Sequence, residues 1–279
     1  MNVSINSSHW HSPFSELIPK SLDVAESWAG SSNLDVMETS IDPPSVALRL
    51  ALPIALISLF CPYPIATLVI SFLGLWLLSQ HDYVQAKKIL TEKKIAQIIT
   101  ESAGKPKKAL IIQSTKDRYG ALLTRTHVEK VRQLAKTHSI EKVVVNTEKE
   151  FLTALPSGRF DLVWVRAHGT PNSIEIGHNF KLSKDSAPQT FHTLASKIKY
   201  HGKLLLECCD VGNNRNKESC LAEHIASYCW DATVYAPLSD ISGIFGLEFD
   251  KWGSPQFNNS FGVKGRNVTR IIDGPKSHS

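Results

Sequence analysis

A histidine and a cysteine that each follow a short apolar run are the residues of this sequence best suited to covalent chemistry. The run at 162–165 leads into His168, and the run at 204–206 leads, through a glutamate and a first cysteine, into Cys209. An imidazole beside a thiol takes the thiol proton or holds the thiolate as an ion pair, and it later protonates a leaving amine. The two residues therefore predict nucleophilic catalysis if the fold brings them together.

Alternating strand and helix patterns from Ala109 onward would supply that fold. Short apolar runs without polar alternation are typical of strands buried on both faces, and amphipathic segments separate them. We predict an α/β domain with a mainly parallel sheet flanked by helices on both faces. The predicted strands are 109–115, 142–147, 160–169, 203–209 and 232–238; the predicted helices are 125–138, 148–155, 189–200 and 218–229, with a hairpin inserted at 173–183.

In such a sheet His168 and Cys209 follow successive strands at the carboxyl edge, where active sites collect. Neighbouring strands lie about 5 Å apart, so the imidazole and the thiol would be close. Because side chains alternate across a strand, only one of Cys208 and Cys209 can face the histidine. The backbone N–H groups of Gly169 and Cys209 could donate to the oxyanion of a tetrahedral intermediate.

These two motifs resemble the signature of the caspase–hemoglobinase cysteine peptidases, which include caspases, legumains, gingipains, separases and the self-cleaving protease domains of large bacterial toxins. In that family one apolar strand ends in His-Gly and a later one ends in Gln/Glu-x-Cys. The stretch LVWVRAHG is similar to the first and LLLECC to the second, while ECCDVG is similar to the Glu-Ala-Cys-Glu-Ser-Gly of legumain-type enzymes. The separation of 41 residues between His168 and Cys209 is near the ~50 noted for caspases.

The resemblance covers residues 109 to 240 and implies a thiol endopeptidase with a Cys–His dyad and no cofactor. It assigns the nucleophile to Cys209 and puts Cys208 at a position usually held by a small residue, so that Cys208 is expected to pack as a small hydrophobe. A protein or peptide would be the substrate. Substrate-binding candidates at the same edge are Arg118, Arg125, Glu207, Ser239 and Asp240. Arg118 and Arg125 would suit an acidic P1 side chain, although charges of a solvated loop or a helix start explain them better.

The cysteine content and the net charge give further indications of the kind of protein. The five cysteines are odd in number and lack a CxxC pair, which favours reduced thiols over a disulfide framework. Cys220 and His224 are four residues apart and would suit two zinc ligands, but core thiols on an amphipathic helix explain them better, and no metal is predicted. A formal net charge of +5 over 279 residues gives no case for a nucleic-acid partner.

A membrane segment is predicted upstream of the α/β domain. Residues 50–78 are 29 residues without a charge, enough for a helix of about 43 Å against a hydrocarbon core of about 30 Å. Pro62 and Pro64 interrupt the run, so a single kinked span and a tight hairpin both remain open. More basic residues follow the segment than precede it. The positive-inside rule therefore predicts that the domain after the segment lies in the cytosol. The basic residues that follow are Lys87, Lys88, Lys93 and Lys94, against Arg49 alone on the other flank.

The predicted organisation has five parts: a flexible polar leader at 1–45, the membrane segment at 46–80, a lysine-rich helical connector at 81–108, the peptidase-like domain at 109–250 and a C-terminal tail at 251–279. A polar leader before a proline-broken apolar segment is similar to proteins that intracellular bacteria insert into vacuole membranes. Two further functions stay open: a catalytically inactive scaffold of the same fold at a membrane, and a thiol acyltransferase or deamidase that uses the same dyad.

Overall fold

The computed structural model describes residues 88–117, 122, 125–214, 219–239, 247–249, 254–257 and 269–276. The contacts divide the chain into units 1–90 and 91–279, and the fold below is that of the second unit. The predicted leader and the apolar segment at 50–78 lie outside the described residues. No helix within the described ranges is long and apolar enough to cross a membrane.

A six-stranded sheet forms the centre of the domain, in the order β11-β8-β7-β3-β1-β2. All neighbours pair in parallel except β11, which is antiparallel to β8 at one edge. A small antiparallel sheet, β4-β5-β6, follows β3, and β9 pairs with β10. The strands are β1 (Lys107–Ser114), β2 (His138–Val145), β3 (Phe160–Arg166), β4 (His168–Thr170), β5 (Ser173–Glu175), β6 (Lys181–Ser183), β7 (Ile198–Glu207), β8 (Thr233–Pro237), β9 (Leu247–Phe249), β10 (Pro255–Phe257) and β11 (Thr269–Asp273).

Helices cover both faces of this sheet, and the side chains of each strand alternate between two cores. Odd-numbered β1 residues such as Ile111 pack with α1 and α2, and even-numbered ones such as Ile112 pack with α3, α4 and α5. The helices are α1 (88–101), α2 (Arg125–Ala135), α3 (Glu148–Thr153), α4 (Pro188–Ser196) and α5 (Leu221–Ala226). The predicted α/β class with a mostly parallel sheet flanked by helices is confirmed.

Apolar side chains on both faces explain why β1, β3 and β7 occupy the middle of the sheet. Six consecutive residues of β1, from Ala109 to Ser114, are buried, as are all of β3 except Asp161. Strands of this kind cannot sit at an edge without exposing one apolar face, so they require neighbours and helices on each side. Since β3 and β7 are central strands, their carboxyl ends, which precede His168 and Cys209, lie near the middle of one edge of the sheet.

The folded unit extends beyond the predicted 109–250 in both directions. Ile95 and Ile98 of α1, from the predicted connector, lie in the core, and β11, from the predicted tail, completes the sheet. Element boundaries also differ: β2 begins at His138, four residues before the predicted strand, and α4 ends at Ser196 because β7 begins at Ile198. The start of β7 is irregular, because Ile198 pairs with Phe160 whereas Lys203 pairs with Leu162.

Candidate active site

The register of the sheet brings the chain that leads into His168 beside the chain that leads into Cys209. Arg166, the last residue of β3, pairs with Glu207, the last residue of β7, and two more residues along each chain reach the candidate pair. The pairing continues past the strand ends, because the Ala167 N–H donates to the Glu207 carbonyl at 3.3 Å. The prediction that the strands before His168 and Cys209 are neighbours is therefore confirmed.

Gly169 brings these two strand ends into close contact. A methyl group on its Cα would lie 2.8 Å from Cys208 Cβ and 2.9 Å from the Cys209 carbonyl oxygen. Real Cβ atoms do not approach other atoms this closely, so only glycine allows the backbone after His168 to lie against the Cys208–Cys209 peptide. The N–H groups proposed for the oxyanion site belong to these two touching segments.

The two cysteines differ in their surroundings as strand alternation predicts. Cys208 is fully buried in the core beneath α4 and α5, and its Sγ lies 3.9 Å from the Val165 carbonyl oxygen. Burial raises the pKa of the Cys208 thiol well above its ordinary value. Cys209 is half-buried at the edge of the sheet. Of these two residues, only Cys209 is partly exposed to solvent.

A tight turn follows Cys209 and fixes its backbone. Asp210 has a left-handed φ of 56°, which aspartate tolerates better than most residues. Its carbonyl accepts from the Asn213 N–H at 2.8 Å, and its carboxylate accepts from Asn213 Nδ2 at 3.0 Å. Its own N–H donates to the Ser239 carbonyl at 3.3 Å, which brings the predicted candidate Ser239 to this turn.

The far side of the turn is held by the C-terminal strand. Arg270 of β11 donates through Nη1 to the Gly212 carbonyl at 3.0 Å, and its Nη2 forms an ion pair with Glu223 of α5. The same Nη1 lies 3.5 Å from Cys220 Sγ. The Gly212 N–H donates to the Pro237 carbonyl at 2.9 Å. Two strands and a helix therefore fix the segment that carries Cys209.

Asp117 was not among the predicted site residues, yet the structure brings it to His168. Its carboxylate is 3% exposed, with Oδ1 3.9 Å from His168 Nε2 and Oδ2 accepting from the Leu122 N–H at 3.0 Å. Within the described part of the chain, neither Asp117 Oδ1 nor His168 Nε2 has a hydrogen-bond partner, although both are buried atoms. With Nε2 facing the carboxylate, Nδ1 is the ring nitrogen that does not face Asp117. The available signal was the polar QSTKD segment at the end of β1.

Glu207, two residues before Cys209, forms an ion pair with Arg166, two residues before His168. Its carboxylate accepts from Trp164 Nε1 at 2.9 Å and from Arg166 through Nε and Nη2, the second at 3.5 Å. Arg166 is 2% exposed and Glu207 16% exposed, so this pair is largely shielded from solvent. A direct contact between Glu207 and a substrate stays a prediction.

The other predicted candidates are placed less fully. Arg118 and Asp240 lie outside the described residues, and Arg125 is the first residue of α2. Cys220 and Cys229 are buried, and burial raises the pKa of Cys229 to about 12. Among the residues that the structure describes, no three His, Cys, Asp or Glu side chains are grouped to hold a metal ion.

No family model matches this chain, and no curated protein is significantly similar to it.

Proposed function

We propose that the chain is a cysteine endopeptidase of the caspase–hemoglobinase type, with Cys209 as the nucleophile and His168 as its base. The observation that carries this proposal is that β3 and β7, which lead into the two residues, are adjacent parallel strands paired as far as Arg166 and Glu207, with Gly169 packed against the Cys208–Cys209 peptide. Asp117, which the sequence did not single out, would orient the imidazole through Nε2, as the third group of such sites commonly does.

The proposed reaction proceeds through a thioester. Cys209 Sγ attacks the scissile carbonyl carbon while its proton passes to His168 Nδ1, and the oxyanion accepts from the N–H groups of Gly169 and Cys209. The C–N bond then breaks, and His168 returns the proton to the leaving amine. Water attacks the thioester with His168 as base, which releases the carboxylic acid and restores the thiol.

Membrane attachment through residues 50–78 belongs to the same proposal. It rests on the uncharged 29-residue run and on the lysine excess that follows it, which would leave the peptidase domain in the cytosol. Alkaline carbonate extraction of membranes that carry the full chain tests it. Retention in the pellet is expected, and release into the supernatant contradicts insertion.

The enzymatic proposal is tested by comparing the two thiols. Cys209→Ala is expected to abolish peptide-bond cleavage, while the matched variant Cys208→Ala keeps most of it because that thiol faces the opposite core. In the wild type, Cys209 should react with iodoacetamide faster than Cys208, as followed by peptide mapping and mass spectrometry. Activity that survives Cys209→Ala shows that the site is assigned to the wrong residue.

The same experiment separates the alternative functions. Equal inertness of both thiols in a folded protein favours an inactive scaffold. If Cys209 is reactive and transfers acyl groups to added amines, the dyad serves acyl transfer. If it converts side-chain amides to carboxylic acids, the dyad serves deamidation; neither outcome is peptide cleavage.

A further inference from the structure

Arg166 connects two parts of the proposed site: the end of β7, before Cys209, and the segment around Asp117. It is 2% exposed, at the end of β3, two residues before His168. Through Nε and Nη2 it binds the carboxylate of Glu207, two residues before Cys209. Its guanidinium carbon lies 5.4 Å from the centre of the Trp164 ring, whose Nε1 donates to the same carboxylate. The fork of the guanidinium thus fixes the end of β7.

The third nitrogen of Arg166 reaches the other side of the site. Nη1 donates to the Leu122 carbonyl, and the Leu122 N–H donates in turn to Asp117 Oδ2. Asp117 presents its remaining oxygen to His168 Nε2. One buried side chain therefore holds both the strand that precedes Cys209 and the residue that positions the carboxylate facing His168.

We propose that Arg166 is a positioning residue for the reaction: it sets the end of β7 against the Asp117 segment, and so aligns Cys209 with His168. This inference rests on the proposed function. Arg166 contacts Glu207, Leu122 and Trp164, all of which hold the chain around the proposed dyad, so its contribution is expected in the chemical step and not in substrate affinity.

A simple charge pair between Arg166 and Glu207 needs only a positive charge at position 166. The simultaneous contacts with Glu207 and Leu122 need the planar, three-nitrogen guanidinium. Lysine carries the same charge as a point donor at the end of a flexible stem, whereas the planar guanidinium binds Glu207 with two nitrogens and Leu122 with the third. Arg166→Lys therefore keeps the charge pair with Glu207 and loses the simultaneous contact with Leu122.

The experiment uses the full-length protein and four variants. Arg166→Lys tests the fork, and Arg166→Met paired with Glu207→Gln removes both charges while keeping an acceptor for Trp164 Nε1. Removing one partner of a buried ion pair alone can unfold a domain, whereas neutralising both usually does not. Arg132→Met is the matched control, because Arg132 is a half-exposed arginine of α2 paired with Glu129. Cys209→Ala supplies the background.

We expect both Arg166→Lys and the neutralised double variant to unfold cooperatively near the wild-type temperature. In both variants kcat should fall about 10- to 100-fold, and iodoacetamide should label Cys209 more slowly by a similar factor. KM should stay nearly unchanged in Arg166→Lys, which keeps Glu207. Arg132→Met should match the wild type in every measurement. A loss confined to KM, or full rescue of the rate by lysine, overturns the inference.

The labelling rate distinguishes failure of this inference from failure of the proposed function. If the wild type cleaves no peptide but the labelling of Cys209 still depends on Arg166, the endopeptidase proposal fails and the positioning role stands. Folded variants that label Cys209 at the wild-type rate refute the positioning role, whatever the hydrolysis measurements show.

Discussion

Replacing Gly169 with alanine should separate the alignment of the site from the stability of the domain. The added methyl group would meet Cys208 Cβ at 2.8 Å and the Cys209 carbonyl oxygen at 2.9 Å, where ordinary contacts begin at 3.4 Å. Both neighbours belong to the chain that carries the proposed nucleophile, and a backbone atom cannot rotate away as the end of a flexible side chain can. The two strand ends must therefore move apart by roughly 0.6 Å, the difference between 3.4 and 2.8 Å.

The size of the effect follows from this displacement. Forcing one additional methyl group into a packed site typically costs about 1–3 kcal/mol of the free energy of unfolding. For a domain of this size that lowers the melting temperature by about 2–12 °C, at about 2–4 °C per kcal/mol. A misplacement of about 1 Å can cost about 100-fold in rate. We expect the slightly smaller shift to slow cleavage, and the alkylation of Cys209, by about 10-fold or more.

Gly202→Ala is the matched control, because it creates a clash of similar closeness within β7, away from the strand end that precedes Cys209. Its methyl group would lie 2.8 Å from Ile198 Cγ2 and 2.8 Å from the Lys199 carbonyl oxygen, at the amino end of β7. Calorimetry should show a similar loss of stability in both variants, whereas only Gly169→Ala should slow the labelling of Cys209. If Gly169→Ala is destabilised yet labels Cys209 at the wild-type rate, the contact between the strand ends does not set the geometry of the site.

Three further predictions concern neighbouring groups. Asp117→Asn keeps the shape but loses the carboxylate facing His168 Nε2, so labelling of Cys209 should slow at least tenfold while the melting temperature changes little; an unchanged rate would remove Asp117 from the site. Asp210→Gly should be tolerated at the left-handed φ, whereas Asp210→Val should destabilise the domain by about 1–3 kcal/mol, and equal melting temperatures would contradict this. Burial, and then Arg166 and Lys142, lower the pKa of His127, so the unfolded chain takes up a proton below about pH 6.5 that the folded one resists. The free energy of unfolding should therefore decrease as pH falls below 6.5, by at most about 1.4 kcal/mol per pH unit from this residue, and His127→Phe should reduce that slope in denaturant titrations.

The sequence predicted the centre of the fold because its strands carry an unambiguous signal. The runs that became β1, β3 and β7 are apolar on both faces, which leaves no alternative to a buried, helix-covered sheet. Their order along the chain then placed His168 and Cys209 at one edge, and the alternation of side chains identified Cys208 as the core thiol.

The missed features depend on contacts between distant parts of the chain. Strand β11 reads as five residues of mixed polarity, with Ile271 60% exposed, and only its pairing with β8 makes it a strand. Asp117 is one of several polar residues after β1, and no local pattern shows which of them reaches His168. Arg166 resembles an ordinary charge at a strand end, although its guanidinium is buried among groups from three segments. Such roles arise from tertiary packing and leave no periodic trace.

The hydrogen bond from Arg270 to the Gly212 carbonyl, called here the Arg270 clamp, has a consequence for biosynthesis. Arg270 lies 61 residues after Cys209, so at about 5–20 residues per second the ribosome adds it about 3–12 s after the thiol. During that interval the turn after Cys209 lacks its contact with β11, and the sheet lacks its antiparallel edge. Chains stopped at residue 250 should label Cys209 more slowly than chains extended through residue 276, and equal rates would show that the clamp is dispensable. A nascent chain would thus expose Cys209 before its surroundings are complete, and full reactivity of this thiol is expected only once the last strand of the sheet has paired.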